Sequence, residues 1–198
     1  MVINGCLGPR GDGYDPTDFM TVDQAEQYHS QQVGIFEDTA ADMVSAITMT
    51  YAEEAIGIAR AARSAGMPVA ISCTVETNGS LPSGQSLQGV IETVDQMTGF
   101  YPAYFMINCA HPSHFEETIF SAEGPWLSRI HGLRANASSK SHAELNEAEE
   151  LDEGDPVQLG ESYRALRDKL VNLNVLGGCC GTDHRHIDEM GGGACFTT

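Results

Sequence analysis

Three cysteines in two short segments have the residue type and placement of metal ligands. Cys179 and Cys180 are adjacent in the segment 175–182, whose sequence is VLGGCCGT. Its apolar first residues predict the end of a buried strand, and the two glycines let the backbone turn without a Cβ in the way. Neighbouring residues in a strand point to opposite faces. Both thiols can therefore meet at one point only on an irregular, glycine-assisted backbone, as a metal site requires.

Adjacent cysteines have two other interpretations, as small buried hydrophobic residues or as a strained, reducible vicinal disulfide. A third thiol favours the metal interpretation. Cys109 ends the apolar segment 104–109, YFMINC, which also predicts a strand that stops ahead of a turn. Its separation of 70 residues from Cys179 is too long for a zinc finger, but it suits ligands gathered from different strands of one sheet or barrel.

The elements that must position these cysteines alternate between strand and helix. Strands are predicted at 2–9, 41–49, 69–75, 103–109, 129–135 and 174–176. Helices are predicted at 21–37, 52–65, 87–98, 115–120 and 162–170, with loops at 78–84 and 137–142. Thr182 or Asp183 can cap a last helix, which the glycines at 191–193 would end after about two turns. The alternation is typical of a parallel α/β sheet with crossover helices. A Rossmann sheet is the main alternative, but no G-x-G-x-x-G sequence follows the first strand.

Length, charge and cysteine content indicate how many domains the chain has, which partners it can bind and in which compartment it lies. The 198 residues predict a single domain over 1–198. With 28 acidic against 10 basic residues, the net charge is −18, which argues against nucleic acid and anionic membranes as partners. No apolar run reaches the ~20 residues that span a bilayer, and the first five residues are not signal-like. Six cysteines without a secretory signal indicate a reducing cytoplasm, where thiols favour metal binding or catalysis over disulfides.

The segments that hold the cysteines resemble the homocysteine S-methyltransferase family. The resemblance rests on INC at 107–109, GGCCGT at 177–182 and HI at 186–187, and it includes 8–9, 68–72, 126–139 and 151–155. Family members are zinc enzymes on a (β/α)8 TIM barrel, with three cysteine ligands. The resemblance thus implies Zn²⁺ as the cofactor and Cys109, Cys179 and Cys180 as its ligands.

The resemblance also implies an incomplete barrel. Six βα units can be counted, whereas a complete relative has eight, and about 250 residues is typical of the fold. The first two units would be the missing ones, and the last helix would end early. We therefore expect a fragment, a chain with a misassigned start codon or a short variant.

Zinc with three thiolate ligands keeps one tetrahedral position open, which is the pattern of a catalytic site. The resemblance implies transfer of a methyl group from a sulfonium or quaternary ammonium donor to a thiol such as homocysteine, giving methionine. The expected partners are these small molecules, in the cytoplasm. The alternative is a non-catalytic zinc- or redox-binding remnant of the barrel, whose open sheet edge a homo-oligomer would cover.

Several nearby residues have weaker claims to a role. Asn108 would orient a ligand or substrate, or else bond the local backbone at a strand end. The histidines close to the thiols would cap or pack beside the site, or else one of them would be a ligand that the sequence does not single out. The remaining cysteines would be ordinary small residues. These residues are His111, His184, His186, Cys6, Cys73 and Cys195.

One position departs from the family pattern. Many relatives have a glutamate before the threonine at the tip of the second predicted strand, where it is thought to hold the amino group of homocysteine. Here Ile47 and Thr48 occupy these positions. An apolar side chain cannot pair with an ammonium group, so the sequence leaves open whether homocysteine or another thiol is the methyl acceptor.

Overall fold

The computed structural model describes residues 1–192 of the chain, so the interpretation of Cys195 and the end of the predicted last helix lie outside the described residues. Six parallel strands form a sheet in the order β1-β2-β3-β4-β5-β6. They are β1 Asn4–Leu7, β2 Met43–Met49, β3 Val69–Cys73, β4 Tyr104–Asn108, β5 Ile130–Ala135 and β6 Val175–Gly178. Each overlaps a predicted strand, although β6 extends two residues beyond the predicted end at 176.

Helices connect consecutive strands, as parallel pairing requires. They are α1 Val22–Glu37, α2 Ala52–Ser64, α3 Leu87–Thr98, α4 Glu116–Ser121, α5 His142–Asn146, α6 Pro156–Lys169 and α7 His184–Gly192. Short 3-10 turns cover Pro112–His114 and Pro125–Arg129. Thr21 caps α1 in a capping box, since the Thr21 hydroxyl accepts from the Gln24 N–H and the Gln24 side chain accepts from the Thr21 N–H.

The helix predicted at 162–170 begins six residues earlier in the structure. Asp155 caps α6 by accepting from the N–H groups of Val157, at 2.9 Å, and Gln158, at 3.2 Å, and Pro156 occupies the first helical position. Val157 is 51% exposed. The first turn therefore lacks the buried apolar face that gives a helix its hydrophobic periodicity in the sequence. Similarly, α5 lies where only a polar segment was expected, because Ser141 and Glu144 form a capping box.

The chain divides into two compact units. The first unit, Met1–Thr74 with Leu81–Met106, contains β1 to β3 and α1 to α3. Its buried side chains include Val44, Ile58 and Ile71. The second unit, Val75–Ser80 with the chain from Ile107 onward, contains β5, β6 and α4 to α7. The single domain predicted over 1–198 stays a prediction.

Candidate metal centre

Cys109 directly follows β4 and takes a left-handed backbone conformation with φ of 53°. Its N–H donates to the Arg134 carbonyl on β5 at 3.1 Å. Its own carbonyl oxygen accepts from Asn136 Nδ2 at 3.0 Å and forms a 2.6 Å hydrogen bond with His142 Nε2. Because a carbonyl can only accept, Nε2 of His142 carries a proton. The strand therefore ends in a sharp, side-chain-supported turn at the cysteine.

Cys179 and Cys180 directly follow β6 in a turn that depends on glycine. A Cβ on Gly178 would lie 2.1 Å from Thr182 Oγ1, and Gly181 has φ of 77°. The turn is bonded to the end of β5 and to the residues that follow it, since the Cys179 N–H donates to the Ala135 carbonyl at 2.8 Å and the Ala137 N–H donates to the Cys180 carbonyl at 2.9 Å. This is the glycine-assisted backbone that adjacent thiols need in order to face one point.

The sulfurs of Cys109, Cys179 and Cys180 all lie within 4.8 Å of one another. They meet because parallel strands end at the same edge of a sheet. Cys109 is buried, Cys179 is half-buried and Cys180 is exposed. Cys109 and Cys179 are joined as a disulfide, whereas Cys180 is a free thiol. The disulfide differs from the composition-based expectation of free thiols.

The donor set suits zinc once that disulfide is reduced. Tetrahedral Zn²⁺ with thiolates at about 2.3 Å places two sulfurs about 3.8 Å apart, a spacing that falls inside the observed limit of 4.8 Å. Within residues 1–192, the group has no fourth cysteine, histidine or carboxylate. Three thiolates would thus leave one position for an exogenous ligand.

None of the three nearby histidines belongs to the sulfur group in the described part of the chain. His186 is fully buried, with Nδ1 accepting from the Asp183 N–H at 3.1 Å and Nε2 bonded to the Glu153 carbonyl at 2.8 Å. His184 is exposed on α7. His111 Nδ1 accepts from the Ser113 N–H at 3.2 Å. Burial, followed by the charge of a neighbouring histidine, lowers the pKa of His111 to about 4 despite an opposing aspartate.

The other residues singled out in the sequence lie at or near the ends of strands or in β1 and β2. Asn108 is the last residue of β4 and only 1% exposed; its predicted part in substrate binding stays a prediction. Cys6 is exposed and Cys73 is buried, and neither belongs to the group. Ile47 and Thr48 lie on β2, where Thr48 has φ of 59°.

Two residues beside the cysteines were missed by the sequence reasoning. Asn136 follows β5, and His142 begins α5, in a segment that was interpreted only as a polar loop. A signal for Asn136 did exist, because a polar side chain directly after an apolar strand lies at the same sheet edge as the ends of the neighbouring strands. His142 reaches Cys109 through tertiary folding alone.

Taken together, the parallel α/β sheet and the strand-end sulfurs describe a protein with a cysteine-rich candidate metal centre. A model of the family described as homocysteine S-methyltransferase matches residues 1–192. The chain belongs to the homocysteine S-methyltransferase family. No curated protein matches it in sequence. None of the helices within residues 1–192 has the length and apolar character needed to cross a membrane.

Solved structures of the homocysteine methyltransferase MmuM from Escherichia coli share the fold. The metallated form has a TM-score of 0.69 at 17% identity, covering 96% of this chain and 60% of that one. The apo form has a TM-score of 0.67 at 17% identity, covering 98% of this chain and 62% of that one. The oxidised form has a TM-score of 0.70 at 17% identity, covering 97% of this chain and 61% of that one. The chain thus spans about 60% of the length of these relatives. The likeness confirms the predicted incomplete (β/α)8 type of fold.

Proposed function

We propose that this chain is a zinc-dependent methyltransferase that moves a methyl group from a sulfonium or quaternary ammonium donor to a small-molecule thiol. The observation that supports the proposal most directly is the group of three sulfurs within 4.8 Å in a member of the homocysteine S-methyltransferase family. Homocysteine is the first acceptor to test, in which case methionine is the product and methionine biosynthesis in the cytoplasm is the setting.

Cys109, Cys179 and Cys180 would hold the metal through their thiolates. When bound, zinc supplies a positive charge that favours the thiolate form of the acceptor thiol, whose ordinary pKa is near ~8.5. The buried Cys109 would anchor the centre, and the exposed Cys180 lies on its accessible side. Small molecules can approach from that side.

The transfer breaks the bond between the methyl carbon and the donor sulfur or nitrogen and forms a bond from that carbon to the acceptor sulfur. The bonding pair returns to the donor, which loses its positive charge, and the acceptor proton is released to solvent on binding. No general base is needed at the transfer step. The net charge of −18 would favour a cationic donor at short range, within the screening distance of ~8 Å at physiological salt.

The residue at position 47 bears on which thiol accepts the methyl group. Ile47 is half-buried on β2 and carries no charge that could pair with the α-ammonium group of homocysteine. Thiols without that group are therefore equally good candidates. Parallel assays with homocysteine and with a thiol that lacks the ammonium group would distinguish these two classes of acceptor.

The proposal is tested by metal analysis of the reduced protein, followed by methyl-transfer assays with S-methylmethionine and betaine as donors. We expect about one zinc per chain, lost in each of C109S, C179S and C180S. The matched control is C6S, which alters an exposed thiol outside the group and should keep its zinc. Equal zinc content in all four variants, or a folded and reduced protein that takes up no zinc, would contradict the proposal.

A non-catalytic zinc- or redox-binding role is the second candidate. One observation favours it, the disulfide between Cys109 and Cys179. This role predicts zinc binding or reversible oxidation of the thiols without methyl transfer for any donor in the panel. The same assays therefore separate the two candidates.

A further inference from the structure

The side chain of Asn136 lies between the two segments that hold the cysteines. Its Nδ2 donates to the Cys109 carbonyl at 3.0 Å, and its Oδ1 accepts from the Cys180 N–H at 3.2 Å. The residue is only 2% exposed. A carboxamide offers a donor and an acceptor, as a peptide group does. Asn136 therefore extends the hydrogen bonding of the sheet past the end of β5, toward both neighbouring strands.

The backbone beside this side chain makes matching contacts. The Asn136 N–H donates to the Ala110 carbonyl at 3.2 Å, and the next N–H, of Ala137, donates to the Cys180 carbonyl at 2.9 Å. Two successive residues thus hold both cysteine segments. These bonds fix the separation between the Cys109 backbone and the adjacent pair.

Such support is needed because β4 ends at Asn108 and the chain turns at Cys109, where φ is 53°. The carbonyl of Cys109 is then held by side chains, namely Asn136 and His142. His142 bonds to the Cys109 backbone and to Glu76, whereas Asn136 bonds to the backbones of both Cys109 and Cys180. The carboxamide is thereby placed to set the spacing of the sulfurs.

We propose that Asn136 is a positioning residue of the metal centre, which holds Cys109 in place against Cys179 and Cys180 through the two ends of its carboxamide. This inference rests on the proposed function in one respect, namely that zinc is the metal that the three sulfurs bind. Partners that orient metal ligands typically change metal affinity by ~10–100-fold when they are removed.

The first test measures zinc affinity of the reduced full chain by competition with a chromophoric chelator, in N136A and in N136D. N136D keeps the size of the side chain and an acceptor for the Cys180 N–H, but it replaces the donor to Cys109 with an oxygen, so it remains informative if N136A folds poorly. We expect both to bind zinc ~10–100-fold more weakly than the parent. The thiolate-to-cobalt absorption of the Co²⁺-loaded protein should weaken in parallel.

Y163F is the matched control for general loosening of these strands. The buried Tyr163 hydroxyl accepts from the Ala135 N–H and donates to the Gly177 carbonyl, both at 2.8 Å, so it also bridges β5 and β6, at residues other than the cysteines. We expect Y163F to lower the unfolding midpoint while changing zinc affinity much less than N136A does. Equal losses of zinc affinity in Y163F and N136A would overturn the positioning role.

A second readout needs no metal. The equilibrium between reduced glutathione and the Cys109–Cys179 disulfide reports the effective concentration of the two thiols, which should fall severalfold in N136A and stay near the parent value in Y163F. An unchanged equilibrium in N136A would overturn the inference about Asn136. A parent chain that binds no zinc would instead overturn the proposed function, and the glutathione equilibrium would still decide the role of Asn136.

Discussion

The cysteines within residues 1–192 differ chiefly in what surrounds their sulfurs. Cys109 is in a left-handed conformation, which costs roughly 1–2 kcal/mol for a residue with a Cβ. Hydrogen bonds from two side chains to its carbonyl oxygen support that conformation. Cys180 is exposed beside it. Cys73, at the end of β3, is fully buried, and this burial raises its pKa to about 12. The surroundings of each cysteine therefore decide how accessible and how reactive its thiol is.

This contrast predicts selective alkylation of the reduced, metal-free native protein. With iodoacetamide near pH 8, Cys6 and Cys180 should be modified, while Cys73 should remain unmodified because it is buried and almost entirely protonated. Peptide mass spectrometry measures each site, and the same reaction in urea provides the control, in which Cys73 should react fully. Similar native rates at Cys6 and Cys73 would contradict the prediction.

At the scale of elements, α1 and α2 pack closely at Gly57. A Cβ at this position would lie 2.4 Å from the Ala25 Cβ and 2.6 Å from the Glu26 backbone nitrogen. The close approach lets α2 bury most of its length, including Ile58. A glycine in the middle of a helix ordinarily lowers stability by ~1 kcal/mol relative to alanine, so packing outweighs helix propensity here.

We therefore expect G57A to lower the free energy of unfolding by about 2 kcal/mol, since overpacking against a backbone costs more than the gain in propensity. Gly34 in α1 is the matched control, because a Cβ there would meet nothing within 4 Å. G34A should raise the free energy of unfolding by ~0.5–1 kcal/mol. Urea denaturation measures both, and a stabilising G57A would refute the packing argument.

At the scale of the whole molecule, charge is strongly unbalanced. The 28 acidic residues outnumber the 10 basic ones, and several of the ion pairs, such as Arg10 with Asp18 and Arg185 with Glu153, lie at exposed positions. Exposed pairs contribute little to stability. Repulsion among the unpaired carboxylates should therefore be the larger electrostatic effect on the folded chain.

Added salt should accordingly stabilise the protein. Raising NaCl from about 0.02 M to about 0.5 M shortens the screening length several-fold and should raise the thermal unfolding midpoint of the reduced chain. KCl serves as the control for a specific ion effect and should give the same rise. A midpoint that falls with either salt would indicate that attractive ion pairs dominate instead.

The sequence by itself determined the order of strands and helices, because apolar runs, glycines and caps act locally. Six strands and the helices at 21–37, 52–65 and 87–98 were predicted close to their observed bounds. It also singled out the three cysteines, since a GGCC turn and a strand-end cysteine are unusual in local sequence. The start of α6 at Pro156 escaped prediction, because its first turn is exposed and lacks apolar periodicity.

Only the tertiary structure decided what surrounds the sulfurs. Asn136 joins Cys109 to Cys180, 27 and 44 residues away along the chain, and His142 bonds to Cys109 from α5. The pairing of Cys109 with Cys179 across 70 residues is likewise a product of neighbouring strand ends. Such contacts depend on how parallel strands are aligned in register, and alignment between distant segments leaves no periodic signal in the residues on either side.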